Sequence, residues 1–323
     1  MIVFSILALA LGFFAGHTLK KTTVVNSLSL REKNDDYKFI DPLLVVNRAN
    51  LADPSPVFTA LYNSVNKYVS DQKSNGLMNA SVYFIKYGDK GGSFYINKDE
   101  VYSPASLLKV AIMIAYLKLS ESKPYILDEE ITYSANLAGN FERVPFEDPT
   151  KLKEGDDYVV NDLINKMIID SDNGAMNILI RNIDISYLNK VYTDLGLKNP
   201  SVDNADYKMS AFDYSLFLRV LYNSTYLSRE DSEKALAILS KSTFQDGLRA
   251  GLPENIAVAH KFGEHVNGVK DTIESVELHD CGYVYLPNDT YFLCVMSKGK
   301  SLKTLSETIS HISKVIYENV ASN

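Results

Sequence analysis

The sequence predicts a mixed α/β fold of the α+β type: one antiparallel sheet flanked by terminal helices, with an all-helical subdomain inserted into it. Three observations point there. Strand-like runs cluster near the two ends of the body, at 80–97 and again at 257–297. Helical periodicity fills the interval between them and also opens and closes the body. Strands grouped apart from helices favour a segregated antiparallel sheet over a βαβ alternation.

Each element has its own warrant. From position 56 the chain reads as a helix, because Phe58, Leu61, Val65, Tyr68 and Val69 fall on one face. Positions 80–86 and 93–97 read as strands on either side of a glycine-rich turn at 88–92. A long helix follows from Pro104 to about position 120, with Ser103 as N-cap and Pro104 at the first helical position. Helices dominate from about 158 to 239. The chain returns to strands at 257–263, 275–286 and 290–297 and ends in an amphipathic helix from Leu302 to about 320.

Composition bounds the function. With 46% hydrophobic and 23% charged residues, the 323-residue chain can bury a large core without metal or disulfide staples. The net charge of −7 and the absence of long Lys/Arg runs argue against nucleic acid as a partner. The five histidines show no metal spacing, so no metal and no other cofactor is expected. Cys281 and Cys294 flank the turn Pro287-Asn288-Asp289. Counting outward from that turn pairs them diagonally rather than directly, which reads against a disulfide.

Positions 2–16 form an uninterrupted apolar run followed by His17, Lys20 and Lys21. The run suits a signal-peptide core and is short for a full membrane span. A cleaved signal and a retained anchor both fit. Lys20 and Lys21 would favour a cytoplasmic downstream side for an anchor. A buried core helix would rarely open a chain this way, however, and export to the periplasm or the exterior is expected. Residues 1–21 are thus read as leader or anchor, 22–55 as a polar tether, and 56–323 as one domain, expected to be a monomer.

The chemistry centres on Ser106 and Lys109. Ser106 lies in the first turn of the helix from Pro104, where a backbone N–H has no helical partner and can bind an oxyanion. Lys109, three residues on, shares its helix face. Leu107, Leu108, Val110 and the apolar residues that follow make this helix apolar almost all round, hence buried. Burial disfavours the charged form of a lysine and suits it to act as a base for the Ser106 hydroxyl. Ser-x-x-Lys occurs five times in the chain, at Ser64, Ser70, Ser106, Ser120 and Ser297. Only the copy at Ser106 opens an apolar helix; the other four fall in polar or terminal contexts.

Two further motifs follow in order. Ser171-Asp172-Asn173 sits at a predicted helix–helix turn, where a simple cap would use the same residue types. Lys261-Phe262-Gly263-Glu264 sits at the end of a predicted strand. A lysine there can hold a substrate carboxylate, Gly263 permits close backbone approach, and the Glu264 N–H can complete an oxyanion hole with Ser106.

The order Ser-x-x-Lys, Ser-Asp-Asn, Lys-x-Gly, on helix, turn and strand, resembles the three-motif pattern of the serine penicillin-recognising enzymes. From about position 56 to the end, the chain resembles a class A β-lactamase catalytic domain and its D,D-peptidase relatives. The resemblance implies a β-lactamase/transpeptidase-like fold and a β-lactam or peptidoglycan stem peptide as partner. It implies Ser106 as acylated nucleophile, Lys109 as base, Ser171 as proton shuttle, Asn173 on the substrate amide, and Lys261 on the carboxylate. Two departures stand out. Phe262 occupies a place where the family has Thr or Ser. The Glu-x-x-Leu-Asn segment that supplies the deacylating base of class A enzymes has no counterpart, since no glutamate lies between Glu154 and Glu230. Asp203 and Asp206 are the substitutes at hand, but each reads first as a loop or cap residue. His260 and His265 flank the site; Glu142 and Glu147 lie in a loop beside it. The implied activity is acylation with slow deacylation. The alternatives are a D,D-peptidase or penicillin-binding protein, a non-hydrolytic sensor module, and another amidase or esterase on the same fold.

Overall fold

The computed structural model describes residues 30–31, 37–45, 55–88, 91–134, 152–200, 207–269, 272–287 and 289–322. Two short strands come first, β1 (Leu30–Arg31) and β2 (Leu43–Val45), then helix α1 (Thr59–Asp71) and strands β3 (Leu77–Lys86) and β4 (Gly92–Ile96). A 3-10 turn at Ala105–Leu108 leads into α2 (Lys109–Ser120). The insert holds β5 (Glu130–Thr132), β6 (Asp157–Val159), α3 (Val160–Ile169), α4 (Asn173–Asn182), α5 (Ile185–Asp194), α6 (Ala211–Tyr222) and α7 (Arg229–Leu239). The chain closes with β7 (Ala257–Val269), β8 (Thr272–Tyr285), β9 (Tyr291–Gly299) and α8 (Leu302–Ala321).

Five strands form one antiparallel sheet in the order β4-β3-β9-β8-β7. Alternation splits its two faces between two cores. Val82 and Phe84 of β3 and Leu293 and Val295 of β9 pack with Leu61 and Val65 of α1 and Ile309 and Ile312 of α8. Tyr83, Phe292, Cys294 and Met296 face the helical insert instead. Each such side chain, fully buried, contributes about 1.5–3 kcal/mol relative to exposure. Every residue of α2 except Lys118 is buried, as its apolar circumference predicts.

The structure departs from the sequence expectations in five places. Ser103 does not cap a helix: the α-helix starts only at Lys109, and Ala105 at φ 47° interrupts the helical path between Pro104 and Ser106. The insert is not all-helical, because β5 and β6 pair as a short ribbon. Cys281 and Cys294 lie directly opposite one another on β8 and β9 and form a disulfide. The hairpin loop holds five residues, Leu286 to Thr290, and its register removes the diagonal offset. β7 and β8 run past the predicted strand ends to Val269 and Thr272, through a mixed stretch in which Val266, Val269 and Ile273 stand among polar residues. Part of the expected tether is laid on the body: Phe39 and Ile40 are buried, and the backbone N–H groups of Lys38, Phe39 and Ile40 donate to the Glu233 carboxylate.

The apolar run at 2–16 lies outside the described residues. Among the described residues no helix is long and apolar enough to cross a membrane.

Candidate active site

The Ser106 segment runs along the sheet face that the helical insert covers. Tyr102 exchanges two backbone hydrogen bonds with Met209, each 3.0 Å. Leu107 N–H donates to the Pro104 carbonyl at 3.0 Å, closing the 3-10 turn that presents Ser106. Ala105 holds a left-handed conformation that costs a non-glycine residue about 1–3 kcal/mol. Ser106 is 9% exposed, at the buried end of the range expected for a group that must meet a substrate.

Lys109 is fully buried, as expected for the first residue of a helix apolar almost all round. Its Nζ donates to the Ser171 hydroxyl at 3.0 Å and also to the Ser171 carbonyl oxygen. Lys261, equally buried, donates to the same hydroxyl at 2.9 Å and to the Phe262 carbonyl oxygen at 2.9 Å. One hydroxyl therefore bridges the helix lysine and the strand lysine. Burying two amines would be costly without such partners.

The turn that places Ser171 is explained by its neighbours. Asp172 is the N-cap of α4 and accepts from the Ala175 N–H at 2.9 Å. Ser171 takes φ 58°, which turns its hydroxyl back toward the lysines. The cap and the functional site are one structure here. Asn173 opens α4 and is half-buried beside the turn.

Gly263 meets a structural need that its sequence context does not show. A Cβ there would lie 2.8 Å from the Pro104 carbonyl oxygen and 3.1 Å from Leu107 N. The bare backbone is needed against the Ser106 turn itself. Glu264, next on β7, is buried. The Phe262 ring lies 4.1 Å from Lys261 Nζ and stacks on Phe244 at a centroid distance of 4.1 Å. Phe262 therefore puts an aromatic face against the ammonium.

The structure brings Lys109, Ser171 and Lys261 into direct contact and seats the Ser106 turn against Gly263. His260 points elsewhere, with its Nδ1 2.8 Å from Asp280 Oδ1, and both side chains are buried. Asp203, Asp206, Glu142 and Glu147 lie outside the described residues. Two residues that sequence reasoning misses stand beside the site. Glu277 and His279 of β8 are buried and contact Ser103. A signal for them exists: two ionisable residues alternating with apolar ones in a strand flanked on both sides have few reasons to be there except hydrogen bonding. Among the described residues no cluster of potential metal ligands occurs.

The sequence profile described as the beta-lactamase enzyme family matches residues 60–320. The structure of PBP-A superimposes with a TM-score of 0.68 at 23% identity, covering 85% of this chain and 100% of that one. A PBP-A variant solved as an acyl-enzyme complex with penicillin G gives 0.68 at 24% identity, with 84% and 100% coverage. A class A β-lactamase from Mycobacterium abscessus gives 0.66 at 20% identity, with 80% and 99% coverage. At these identities the likeness carries the fold. No curated protein matches the chain.

Proposed function

The chain belongs to the beta-lactamase enzyme family, and from that membership we propose that it is a serine hydrolase that forms an acyl-enzyme at Ser106 and releases it slowly. The observation that carries this reading is the Ser171 hydroxyl held between Lys109 and Lys261 at 3.0 and 2.9 Å. Two ammonium groups on one buried oxygen repel each other, which favours a neutral amine on one of them. A neutral Lys109 is the base that Ser106 needs.

Ser106 Oγ attacks the amide carbonyl and gives its proton to Lys109. The developing oxyanion is met by the N–H groups of Ser106 and Glu264. The C–N bond breaks, and the leaving nitrogen takes a proton from Ser171, which Lys109 replenishes. Lys261 draws in the substrate carboxylate, and Asn173 holds the amide side chain. Hydrolysis of the resulting ester needs an activated water. With no glutamate between positions 154 and 230, this chain lacks the usual base for that step. The proposed substrate is therefore a β-lactam that stays bound, or a peptidoglycan stem peptide, and the role is closer to a penicillin-binding or peptidase enzyme than to a resistance enzyme. The PBP-A variant captured with penicillin G supports a β-lactam as ligand.

We propose export as well. The Cys281–Cys294 disulfide supports it, since such bonds persist chiefly in oxidising compartments. The apolar run at 2–16 would direct it.

A chromogenic cephalosporin tests the reading. The expected trace is a burst equal to the enzyme concentration followed by a slow steady rate. Rapid turnover with no burst would contradict slow deacylation. No colour change at all would contradict acylation by β-lactams.

A further inference from the structure

The segment that carries Ser106 is gripped three residues upstream by two side chains that belong to none of the three motifs. The Ser103 N–H donates to Glu277 Oε2 at 2.9 Å. The Ser103 carbonyl oxygen lies 2.9 Å from His279 Nε2. Ser297 N–H donates to His279 Nδ1 at 3.2 Å, so the ring proton sits on Nε2 and is given to Ser103. Both polar groups of one peptide residue are thus held by one strand.

The surroundings fix the two side chains in turn. Asn267 Nδ2 donates to Glu277 Oε1 at 3.1 Å, and Lys298 Nζ stands 3.8 Å from the same oxygen. The Tyr102 ring meets the His279 ring edge-on at 5.4 Å. His279 lies directly across from Gly263 in the β7–β8 register. The absent side chain at 263 opens the space that the nucleophile turn fills, and His279 reaches into the same space from the next strand.

A buried carboxylate and imidazole are expensive fillers of a sheet face unless their hydrogen bonds matter. What they hold is the upstream end of a turn whose middle, Ala105, sits at φ 47°. The downstream end is fixed by the buried helix α2. A left-handed alanine persists only where the structure on both sides over-determines it. Release of Ser103 would let Ala105 relax and swing the hydroxyl of the residue that follows.

We propose that Glu277 and His279 are positioning residues for Ser106, which hold Ala105 left-handed and thereby aim the nucleophile. The inference rests on the reading of Ser106 as nucleophile. Both act through the Ser103 backbone that they hold.

The test uses the full chain with Glu277→Ala and His279→Ala, each alone and combined with Ala105→Gly. Hydrogen exchange over peptide 102–108 reports the clamp without any substrate. Acylation by a fluorescent penicillin reports its consequence, and non-covalent penicillin binding is compared in a Ser106→Ala background. Each single variant is expected to speed exchange at 102–108 and to slow acylation by about 10–100-fold, the scale of a small misplacement, with non-covalent binding unchanged. Glycine sits at positive φ without a clamp, so Ala105→Gly is expected to recover most of the lost rate. Glu277→Gln and His279→Gln keep the shape and one hydrogen-bonding atom and are expected to retain more activity than the alanines. Should the alanine variants fail to fold, the same comparisons are made with these two. Acylation within about 2-fold of wild type, or an equal loss with and without Ala105→Gly, would overturn the positioning role. If penicillin leaves the wild type unmodified, the nucleophile reading fails; the clamp is then judged by exchange, and unchanged protection at 102–108 in Glu277→Ala overturns it.

Discussion

Gly263 and Pro104 are in backbone contact across the site: a Cβ on Gly263 would lie 2.8 Å from the Pro104 carbonyl oxygen, closer than real Cβ atoms come. The strand that bears Lys261 is thus the seat of the turn that bears Ser106. The glycine sets the distance between the Lys261 strand and the Ser106 turn. Gly263→Ala is expected to push the turn off the strand and slow acylation by at least about 10-fold, because small displacements of a nucleophile cost that much or more. Stopped-flow acylation of the folded variant checks it, and a rate equal to wild type would refute the seat.

Lys109 is tied to Ser171 through both the hydroxyl and the carbonyl oxygen of that residue, and the role of base proposed for it predicts a specific defect. Lys109→Ala is expected to slow acylation by at least about 10²-fold, the scale of a lost general base. Penicillin binding before acylation should be largely retained. An unchanged acylation rate would exclude Lys109 as the base.

Phe262 presents its ring to Lys261 where a hydroxyl would serve a carboxylate better. Phe262→Thr is expected to raise the apparent affinity for penicillin by about 10-fold, the yield of one added hydrogen bond to a charged group. It should also lower the melting temperature, since Phe262 is 2% exposed and its loss opens a cavity costing about 3 kcal/mol. A stable variant with unchanged affinity would show that the ring is not what limits carboxylate binding.

Glu277 predicts a pH dependence. Burial pushes its carboxyl up, but the neighbouring His279, with hydrogen bonds from Asn267 and the Ser103 N–H, holds it below its ordinary value of 4.5. Lys298 and His265 also face it, from β9 and β7. A carboxyl depressed in the folded state contributes stability that is fully present above its unfolded value and is lost as pH falls through the folded value. Wild type should therefore lose melting temperature and acylation rate as pH drops below 4.5, and Glu277→Gln should lose less across that window. Parallel curves for the two proteins would remove Glu277 as the group responsible.

Much of this site is legible in the sequence because its parts have local signatures. Ser106 and Lys109 announce themselves by a polar pair at the start of an apolar helix, and Asp172 by its cap chemistry. The strands 257–263 and 290–297 stand out as short runs bounded by turn residues, and 291–297 is apolar almost throughout because both its faces are buried. The rest depends on pairing at a distance, which no local pattern encodes. The left-handed Ala105 follows from the grip on Ser103 by residues more than 170 positions away. The Cys281–Cys294 bridge depends on how many residues the hairpin loop holds, and one residue decides between opposed and diagonal partners. The outer halves of β7 and β8 are polar and solvent-facing in part, and only their mutual backbone pairing makes them strands.

The central claim is covalent chemistry at Ser106. Intact-protein mass spectrometry during a penicillin time course, with Ser106→Ala beside the wild type, tests it most directly. The expected result is a mass increase of one penicillin on the wild type that persists after free drug is removed, and none on Ser106→Ala. An adduct of equal yield on both proteins, or on neither, would contradict it.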